Sequence, residues 1–271
     1  MRLGVCQLCA GDDPAQNLTQ TLGFVRDAAA AGAEFVLTPE VTNIVSMDRA
    51  HQSAVLRHED DDPMLAAMRT EAKALGIWLS IGSLALKTDD ADGRFANRSF
   101  LIGPTGLIVA RYDKMHMFDV AVSQTEQYRE SAGYRPGARA VLAQTPFGRV
   151  GLTVCYDLRF AALYGALAQA GADVLLVPSA FSPVTGAAHW EPLLRARAIE
   201  TGCFVIAAAQ TGTHPSQGKS RKTYGHSMVV SPWGDVLSDA GTATGVNIVD
   251  IDLEEVSRAR DRIPSLRHGA I

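Results

Sequence analysis

Residues 150–160 read VGLTVCYDLRF and place a cysteine directly after a strand pattern. The run that ends at Val154 is apolar and β-branched, which is typical of a buried strand. Asp157 is suited to cap a following helix, which we expect to continue to Ala170. The sequence therefore predicts Cys155 at a strand-to-helix turn, where the helix dipole favours the thiolate. For one cysteine alone, the alternative is a buried side chain that packs as a small hydrophobe.

Outward from this turn, strand and helix patterns alternate along nearly the whole chain. The expected strands are 2–10, 34–38, 77–86, 95–102, 107–112, 172–178, 203–209, 224–231, 235–239 and 245–252, with two more around residues 146–148. The other expected helices are 14–31, 60–75, 189–201 and 253–263. No repeat, low-complexity tract or linker interrupts this order. The pattern therefore predicts one α/β domain over residues 1–271, with helices covering β-sheet.

Composition and charge exclude several classes of protein. Hydrophobic residues make up 47% of the chain and charged residues 20%, which is typical of a soluble globular protein. The net charge of −4 gives no electrostatic reason to expect nucleic acid. No signal peptide is visible, and no apolar run reaches the ~18 residues of a membrane span, so the sequence predicts no membrane partner. No metal-ligand spacing is present, so the sequence predicts no metal site.

The four cysteines include a C-x-x-C pair, Cys6 and Cys9, inside a predicted strand. Such a pair can hold zinc or form a redox centre. Residues three apart on a strand point to opposite faces, however, which favours two separate packed thiols. Free thiols indicate a reducing compartment, and we expect the protein in the cytoplasm.

Three polar residues each follow a predicted strand: Glu40, Lys114 and Cys155. Alone, each is typical of an ordinary surface or core position. Chemistry in open α/β sheets gathers at the carboxyl ends of strands, so the three side chains are expected to converge. A carboxylate base, a cation and a sulfur nucleophile are sufficient for acyl transfer.

These segments resemble the nitrilase, or carbon–nitrogen hydrolase, superfamily. The matching stretches are LTPE at 37–40, RYDKMHMFD at 111–119, GLTVCYDLRF at 151–160, HWE at 189–191, RARA at 195–198 and GHS at 225–227. The resemblance covers nearly the whole chain. It implies a four-layer αββα sandwich with a Glu-Lys-Cys triad and without a metal or organic cofactor. It also implies a homodimer or homotetramer, paired through helices near Cys155 and His189.

The resemblance also implies a role for each catalytic residue. Glu40 is the expected general base, and Cys155 is the expected nucleophile. Lys114 and the backbone N–H of Tyr156 are expected to hold the oxyanion. Glu130 resembles the second glutamate of the family and is expected to orient Lys114; the alternative is an ordinary loop carboxylate.

Within the superfamily, residues 207–212 and 221–227 resemble the Nit-group branch that hydrolyses deaminated glutathione, an α-keto acid amide. The alternatives are an omega-amidase that acts on α-ketoglutaramate, or another small-amide or N-carbamoyl hydrolase. Such a substrate carries carboxylates, and Arg159 is the first candidate to bind one. For Arg159 the alternative is a structural ion pair. Phe181 and Thr185 are expected to line the pocket.

Two readings from other classes remain open at this point. One is a non-catalytic interaction protein that has kept the fold, which the presence of Glu40, Lys114 and Cys155 disfavours. The other is a thiol hydrolase whose base is a histidine, His116 or His226. A Glu40→Gln variant separates the histidine mechanism from the glutamate mechanism, because only the latter depends on the carboxylate.

Overall fold

Two six-stranded β-sheets lie at the centre of the molecule, with helices on their outer faces. The computed structural model describes residues 1–122, 127–216 and 219–268. The strands are β1 Arg2–Gln7, β2 Phe35–Leu37, β3 Trp78–Leu86, β4 Ala96–Ile102, β5 Ile108–Asp113, β6 Asp119–Ala121, β7 Gln127–Arg129, β8 Val141–Thr145, β9 Gly148–Leu152, β10 Val174–Leu176, β11 Phe204–Ala207, β12 Thr211–Ser216, β13 Lys219–Tyr224, β14 Met228–Val230, β15 Val236–Asp239 and β16 Gly245–Asp250. The α-helices are α1 Pro14–Ala30, α2 Arg49–Val55, α3 Pro63–Leu75, α4 Ala161–Gln169, α5 Pro183–Thr201, α6 Glu254–Arg262 and α7 Ser265–His268.

Each large sheet has a parallel centre and antiparallel edges. The first sheet has the order β16-β1-β2-β3-β4-β5, in which β1, β2 and β3 are parallel. The second has the order β15-β14-β11-β10-β9-β8, in which β9, β10 and β11 are parallel. Two smaller ribbons pair β6 with β7 and β12 with β13. The parallel strands of a sheet end at one edge, where their carboxyl ends collect loops that carry chemistry.

Alternation of side chains along the strands builds the four layers. Leu3 and Val5 point into the core between the two sheets, which they share with Leu152. Cys6 and Val36 point to the other face of the first sheet, into the core beneath α1 and α3. Helices α4 and α5 cover the second sheet. The predicted four-layer αββα sandwich is therefore confirmed.

Several predicted boundaries were wrong for local reasons. The strand expected at 224–231 is shortened to β14, Met228–Val230, because Gly225 and His226 have φ angles of +79° and +57° and turn the chain after β13. The helix expected from 189 begins at Pro183, with the Ser182 hydroxyl accepting from Thr185 N–H at 3.4 Å. Strands β6, β7 and β12 were not predicted from the sequence, nor was β13 before its last residue, Tyr224. In the described part of the chain, no helix has the length and apolarity needed to cross a membrane.

Candidate active site

Cys155 occupies a strained turn between β9 and α4. Its φ angle is +52°, which non-glycine residues seldom adopt. The Cys155 N–H donates to Pro178 O at 2.9 Å, which ties the turn to the end of β10. Residues Cys155–Arg159 form a 3₁₀ turn, and the α-helix begins only at Ala161. The thiol therefore lies at the predicted strand-to-helix turn, but a 3₁₀ turn separates it from the N-terminus of α4.

Asp157 holds this turn rather than capping the helix that follows it. Its fully buried carboxylate accepts from Tyr112 Oη at 2.7 Å and from Val154 N–H at 2.8 Å. The other carboxylate oxygen accepts from His116 N–H at 3.0 Å. Because Tyr112 belongs to β5, Asp157 joins the nucleophile turn to the strand that leads to Lys114.

Glu40 follows β2 in a second strained turn. The next residue, Val41, has a φ angle of +47°, which is a backbone outlier for a β-branched side chain. Its N–H donates to Ser83 Oγ at 2.8 Å. A Cβ on Gly82 would lie 2.1 Å from Thr38 O, so β3 passes beneath this turn only with glycine there. Strain of this kind clusters at active sites, and here it flanks both candidate catalytic groups.

Lys114 joins two carboxylates. Its Nζ lies 2.9 Å from Glu40 Oε1, and 2.9 Å and 2.8 Å from the two carboxylate oxygens of Glu130. Asn97 Nδ2 also donates to Glu40 Oε1 at 2.9 Å. The Ala180 N–H donates to Glu40 Oε2 at 2.9 Å. Both oxygens of Glu40 are thus fixed in direction, and Lys114 is oriented by Glu130.

One cavity of about 210 Å³ collects the predicted catalytic residues. Glu40, Lys114, Cys155 and Glu130 all contribute to its wall. The exposed fractions of Glu40, Lys114 and Cys155 are only 4%, 2% and 7%. Groups that lie far apart along the chain are therefore held together in a site that admits little water, where charges interact strongly.

The protonation states follow from burial and from charge. Burial favours a higher pKa for Glu40, but the charge of Lys114 and hydrogen bonds from Cys155 and Lys114 outweigh it, so the pKa is lowered. Burial, then the charge of Glu40, raises the pKa of Cys155 well above its ordinary value despite Lys114. Burial acts to lower the pKa of Lys114, but Glu130 and Glu40 raise it overall. The resting site holds a carboxylate beside a protonated thiol, because burial and the charge of Glu40 outweigh the effect of Lys114, which favours the thiolate.

The remaining predicted residues divide into two groups. Tyr156, Phe181 and Thr185 line the cavity. Tyr156 is the second residue of its helical turn, so its N–H has no acceptor within the turn and is available to a ligand. Arg159 does not line the cavity. Both terminal nitrogens of its guanidinium lie 3.3 Å from His189 Nδ1.

The histidines proposed as alternative bases are engaged elsewhere. His116 Nδ1 lies 2.7 Å from Asp157 Oδ1, and its ring stacks on Phe160 with centroids 3.5 Å apart. His226 Nδ1 lies 2.9 Å from Asp239 Oδ1. Neither histidine contributes to the wall of the cavity that contains Cys155. The geometry therefore favours Glu40 as the base.

Sequence reasoning missed several residues of this cavity, among them Asn97, Ala180 and Arg221. Ala180 lies shortly after β10, so its position at a strand end was a usable signal. Asn97 lies within β4 and Arg221 within β13, where the local pattern carries no sign of a ligand. Their contribution depends on contacts between distant segments.

His214 fixes the hairpin formed by β12 and β13. Its fully buried ring lies 2.7 Å from Ala10 O through Nδ1 and 2.6 Å from Thr223 Oγ1 through Nε2. A carbonyl oxygen only accepts, so Nδ1 carries the proton and Nε2 of the neutral ring accepts from Thr223. Burial lowers the pKa of His214 from 6.5 to about 4. The imidazole ring of His214 is therefore neutral in the folded protein.

The His214 side chain makes the free energy of unfolding depend on pH. Because the pKa is depressed in the folded state, its contribution is complete above pH 6.5 and is lost as pH falls towards 4. The expected loss across this window is roughly 3 kcal/mol. Urea denaturation at several pH values measures it. A His214→Gln variant is expected to show a shallower pH dependence, and the half-exposed His58→Gln controls for losing a histidine. An unchanged slope in His214→Gln would contradict the assignment.

A family model for carbon–nitrogen hydrolases matches residues 2–261. The chain belongs to the carbon–nitrogen hydrolase family. As a member, it is a hydrolase that acts on carbon–nitrogen bonds other than peptide bonds. It is 38% identical over 268 residues to the deaminated glutathione amidase of Yersinia enterocolitica. The aligned residues cover 98% of this chain and 92% of that relative.

Solved structures of related proteins have the same fold as this hydrolase. The NitFhit protein of C. elegans aligns with a TM-score of 0.90 and 35% identity, covering 99% of this chain and 65% of that chain. A mutant amidase from Nesterenkonia sp. AN1 aligns with a TM-score of 0.78 and 26% identity over 100% of both chains. That structure shows acrylamide added at the active-site cysteine. Family membership favours the hydrolase over the non-catalytic interaction protein.

Proposed function

We propose that the protein is a thiol-dependent amidase that hydrolyses the amide bond of a small α-keto acid amide, and that its preferred substrate is deaminated glutathione. The observation that carries the proposal is the ionised Glu40 beside the Cys155 thiol in the buried cavity. The name of the Yersinia relative supports the choice of substrate. The alternatives are α-ketoglutaramate, as for an omega-amidase, and other small amides or N-carbamoyl compounds.

In the first half-reaction, Glu40 takes the proton of Cys155 as the sulfur attacks the amide carbon. The carbonyl electron pair moves to oxygen, and Lys114 and the Tyr156 N–H stabilise the oxyanion. The oxyanion then collapses, the carbon–nitrogen bond breaks, and Glu40 returns the proton to the leaving amine. The product that remains is a thioester on Cys155, and the amine departs.

In the second half-reaction, Glu40 takes a proton from water, and the hydroxide attacks the thioester carbon. The carbon–sulfur bond breaks as the tetrahedral intermediate collapses, and the proton passes from Glu40 to the sulfur. One water is consumed, and the acid and the amine are released. Glu130 keeps Lys114 aimed and charged throughout, with no proton transfer of its own.

A substrate panel tests the choice of amide. We expect the highest kcat/KM for deaminated glutathione, a lower value for α-ketoglutaramate and the lowest for glutamine, because the α-amino group of glutamine replaces the keto group. Coupled assays of 2-oxoglutarate and of ammonia or cysteinylglycine measure these rates. Equal rates on simple aliphatic amides would contradict a pocket for an α-keto acid.

We further propose one domain, acting in the cytoplasm as a homodimer or homotetramer. The exposed apolar side chains of Val184 and Ile199 on α5 support pairing through this helix, because burial in an interface removes apolar area from water. Four free cysteines support a reducing compartment.

A further inference from the structure

Asn97 lies between the two carboxylates of the Cys155 cavity. Its Nδ2 donates to Glu40 Oε1 at 2.9 Å and to Glu130 Oε1 at 3.4 Å. Lys114 Nζ contacts the same two oxygens, each at 2.9 Å. Asn97 is only 2% exposed, and it lines the cavity. A neutral amide and a cation therefore bridge the same pair of acids, and the amide does so without adding charge.

The orientation of the Asn97 amide follows from its neighbours. A carboxylate only accepts hydrogen bonds, so the nitrogen end of the amide, which donates, faces Glu40 and Glu130. The other end, Oδ1, is buried and has no hydrogen-bond partner among the described residues. A buried acceptor without a partner lowers the stability of a fold. The contact with Glu40 is thus kept although it leaves Oδ1 unpaired, which is typical of a functional site.

The first sheet places Asn97 and Lys114 side by side. Asn97 lies in β4, and its backbone oxygen accepts from the Lys114 N–H at 3.0 Å. On the other side of β4, Asn97 pairs with Ala85 of β3. Because β4 is an interior strand of the sheet, both donors approach Glu40 from a rigid support.

The hydrogen bonds of Glu40 distinguish its two carboxylate oxygens. Each oxygen has two lone pairs that can accept. On Oε1, Asn97 and Lys114 occupy both. On Oε2, the Ala180 N–H occupies one at 2.9 Å, and the other is left for the proton of Cys155, whose thiol hydrogen-bonds to this carboxylate. The same Ala180 N–H also interacts with the Cys155 sulfur, so Oε2 is the oxygen on the side of the nucleophile.

We propose that Asn97 is a positioning residue that keeps the proton transferred by Glu40 on Oε2. The thiol proton moves from Cys155 to Oε2 as the carbon–sulfur bond forms, and then to the nitrogen of the leaving amine. In the second half-reaction a proton of water moves to Oε2, and it passes to the sulfur as the carbon–sulfur bond breaks. Asn97 itself neither gains nor loses a proton. This inference rests on the proposed amidase function, because the proton route begins at the nucleophile.

Asn97→Leu is the principal test, because leucine has nearly the volume of asparagine but no donor. One lone pair of Glu40 Oε1 is then free, and the proton can be held on the oxygen that faces away from the sulfur. For deaminated glutathione, followed by 2-oxoglutarate release, we expect kcat to fall on the order of 30-fold and KM to change less than about twofold. The carboxylate also loses a hydrogen bond, which raises its pKa. The acid limb of the kcat/KM profile is therefore expected to move up by about one pH unit.

The other groups that act on Glu40 stay the same in this variant. They come from separate segments packed around the carboxylate, and they are Lys114, Glu130, Tyr134, Cys155 and Arg221. A movement of the acid limb therefore reports the lost Asn97 donor.

Asn97→Ala separates positioning from a purely structural role. Its short side chain leaves room for a water at the cavity wall, and that water can donate to Glu40 Oε1 in place of the amide. The expected fall in kcat is therefore smaller, about fivefold. The order of stability is expected to be the reverse. Asn97→Leu should unfold within about 3 °C of the wild type, and Asn97→Ala at a lower temperature, because alanine loses packing contacts.

Ser99→Ala is the matched control. Ser99 is two residues further along β4, on the same face of the strand, and it is 1% exposed. Its hydroxyl donates to Ile81 O at 3.2 Å, away from Glu40. The variant loses a buried hydrogen bond from the same strand, so its kcat and its acid limb are expected to match those of the wild type.

The possible results separate this inference from the proposed function. Wild-type kcat together with an unmoved acid limb in Asn97→Leu would overturn the role of Asn97. A loss confined to KM would do the same, because it would indicate a contact with the substrate. Activity that simply follows the unfolding temperature across the variants would indicate a structural role and would also overturn it. If wild-type protein hydrolyses no amide and forms no acyl group on Cys155, the amidase proposal fails, and the Asn97 inference fails with it.

Discussion

A Cys155→Ala variant is expected to lose amide hydrolysis by a factor on the order of 10⁵. The sulfur is the atom that becomes bonded to the acyl group, and alanine has nothing to replace it. The cavity and its cations remain, so substrate still binds. The measurement is the release of 2-oxoglutarate from deaminated glutathione. In wild-type protein quenched during turnover, mass spectrometry is expected to find the acyl group on the peptide that contains Cys155.

Cys9→Ala is the matched control for this result. Cys9 is a half-buried free thiol that does not contribute to the wall of the cavity. Its replacement is expected to leave turnover and acylation of Cys155 unchanged. Wild-type turnover in Cys155→Ala, or an acyl group on another cysteine, would show that the nucleophile has been misassigned.

A Glu40→Gln variant is expected to lose turnover by about 10³-fold while its thiol stays reactive towards alkylating agents. The amide is close in shape to the carboxylate, but it cannot take the proton from Cys155 or from water. The charge of Glu40 is one cause of the raised pKa of Cys155, so its removal makes the thiolate easier to form. Release of 2-oxoglutarate from deaminated glutathione reports the loss of turnover, and the rate of iodoacetamide addition at Cys155 reports the reactivity of the thiol.

This pair of readouts distinguishes a glutamate base from a histidine base. If His116 or His226 were the base, Glu40→Gln would keep most of its turnover. Glu254→Gln controls for the loss of a carboxylate, because Glu254 is exposed at the start of α6. Lost turnover together with lost alkylation would indicate that the variant has disturbed the fold around Cys155, and thermal unfolding would show it.

The α/β class and the three central residues were predictable from local patterns, whereas the four-layer arrangement was implied by the resemblance to the carbon–nitrogen hydrolase family. Periodicities of two and 3.6 residues mark strands and helices, and a polar residue after an apolar strand marks a strand end. Glu40, Lys114 and Cys155 could be chosen on that ground, and their combination matched a known family. Boundaries failed where one unusual backbone angle changed the path, as at His226.

The amino-acid order alone was enough to name a carboxylate, an ammonium and a thiol at strand ends, because strand patterns are local. The proton on the Cys155 sulfur was not predictable, because burial and the charge of Glu40 act on it only after folding. Nor were the positions of the two arginine side chains predictable. Arg159 is close to Cys155 along the chain but turns towards His189, whereas the distant Arg221 is brought to Ala180 by a hairpin. Contacts between remote segments exist only in the folded chain. These contacts determine which side chains line the cavity and which of them are charged.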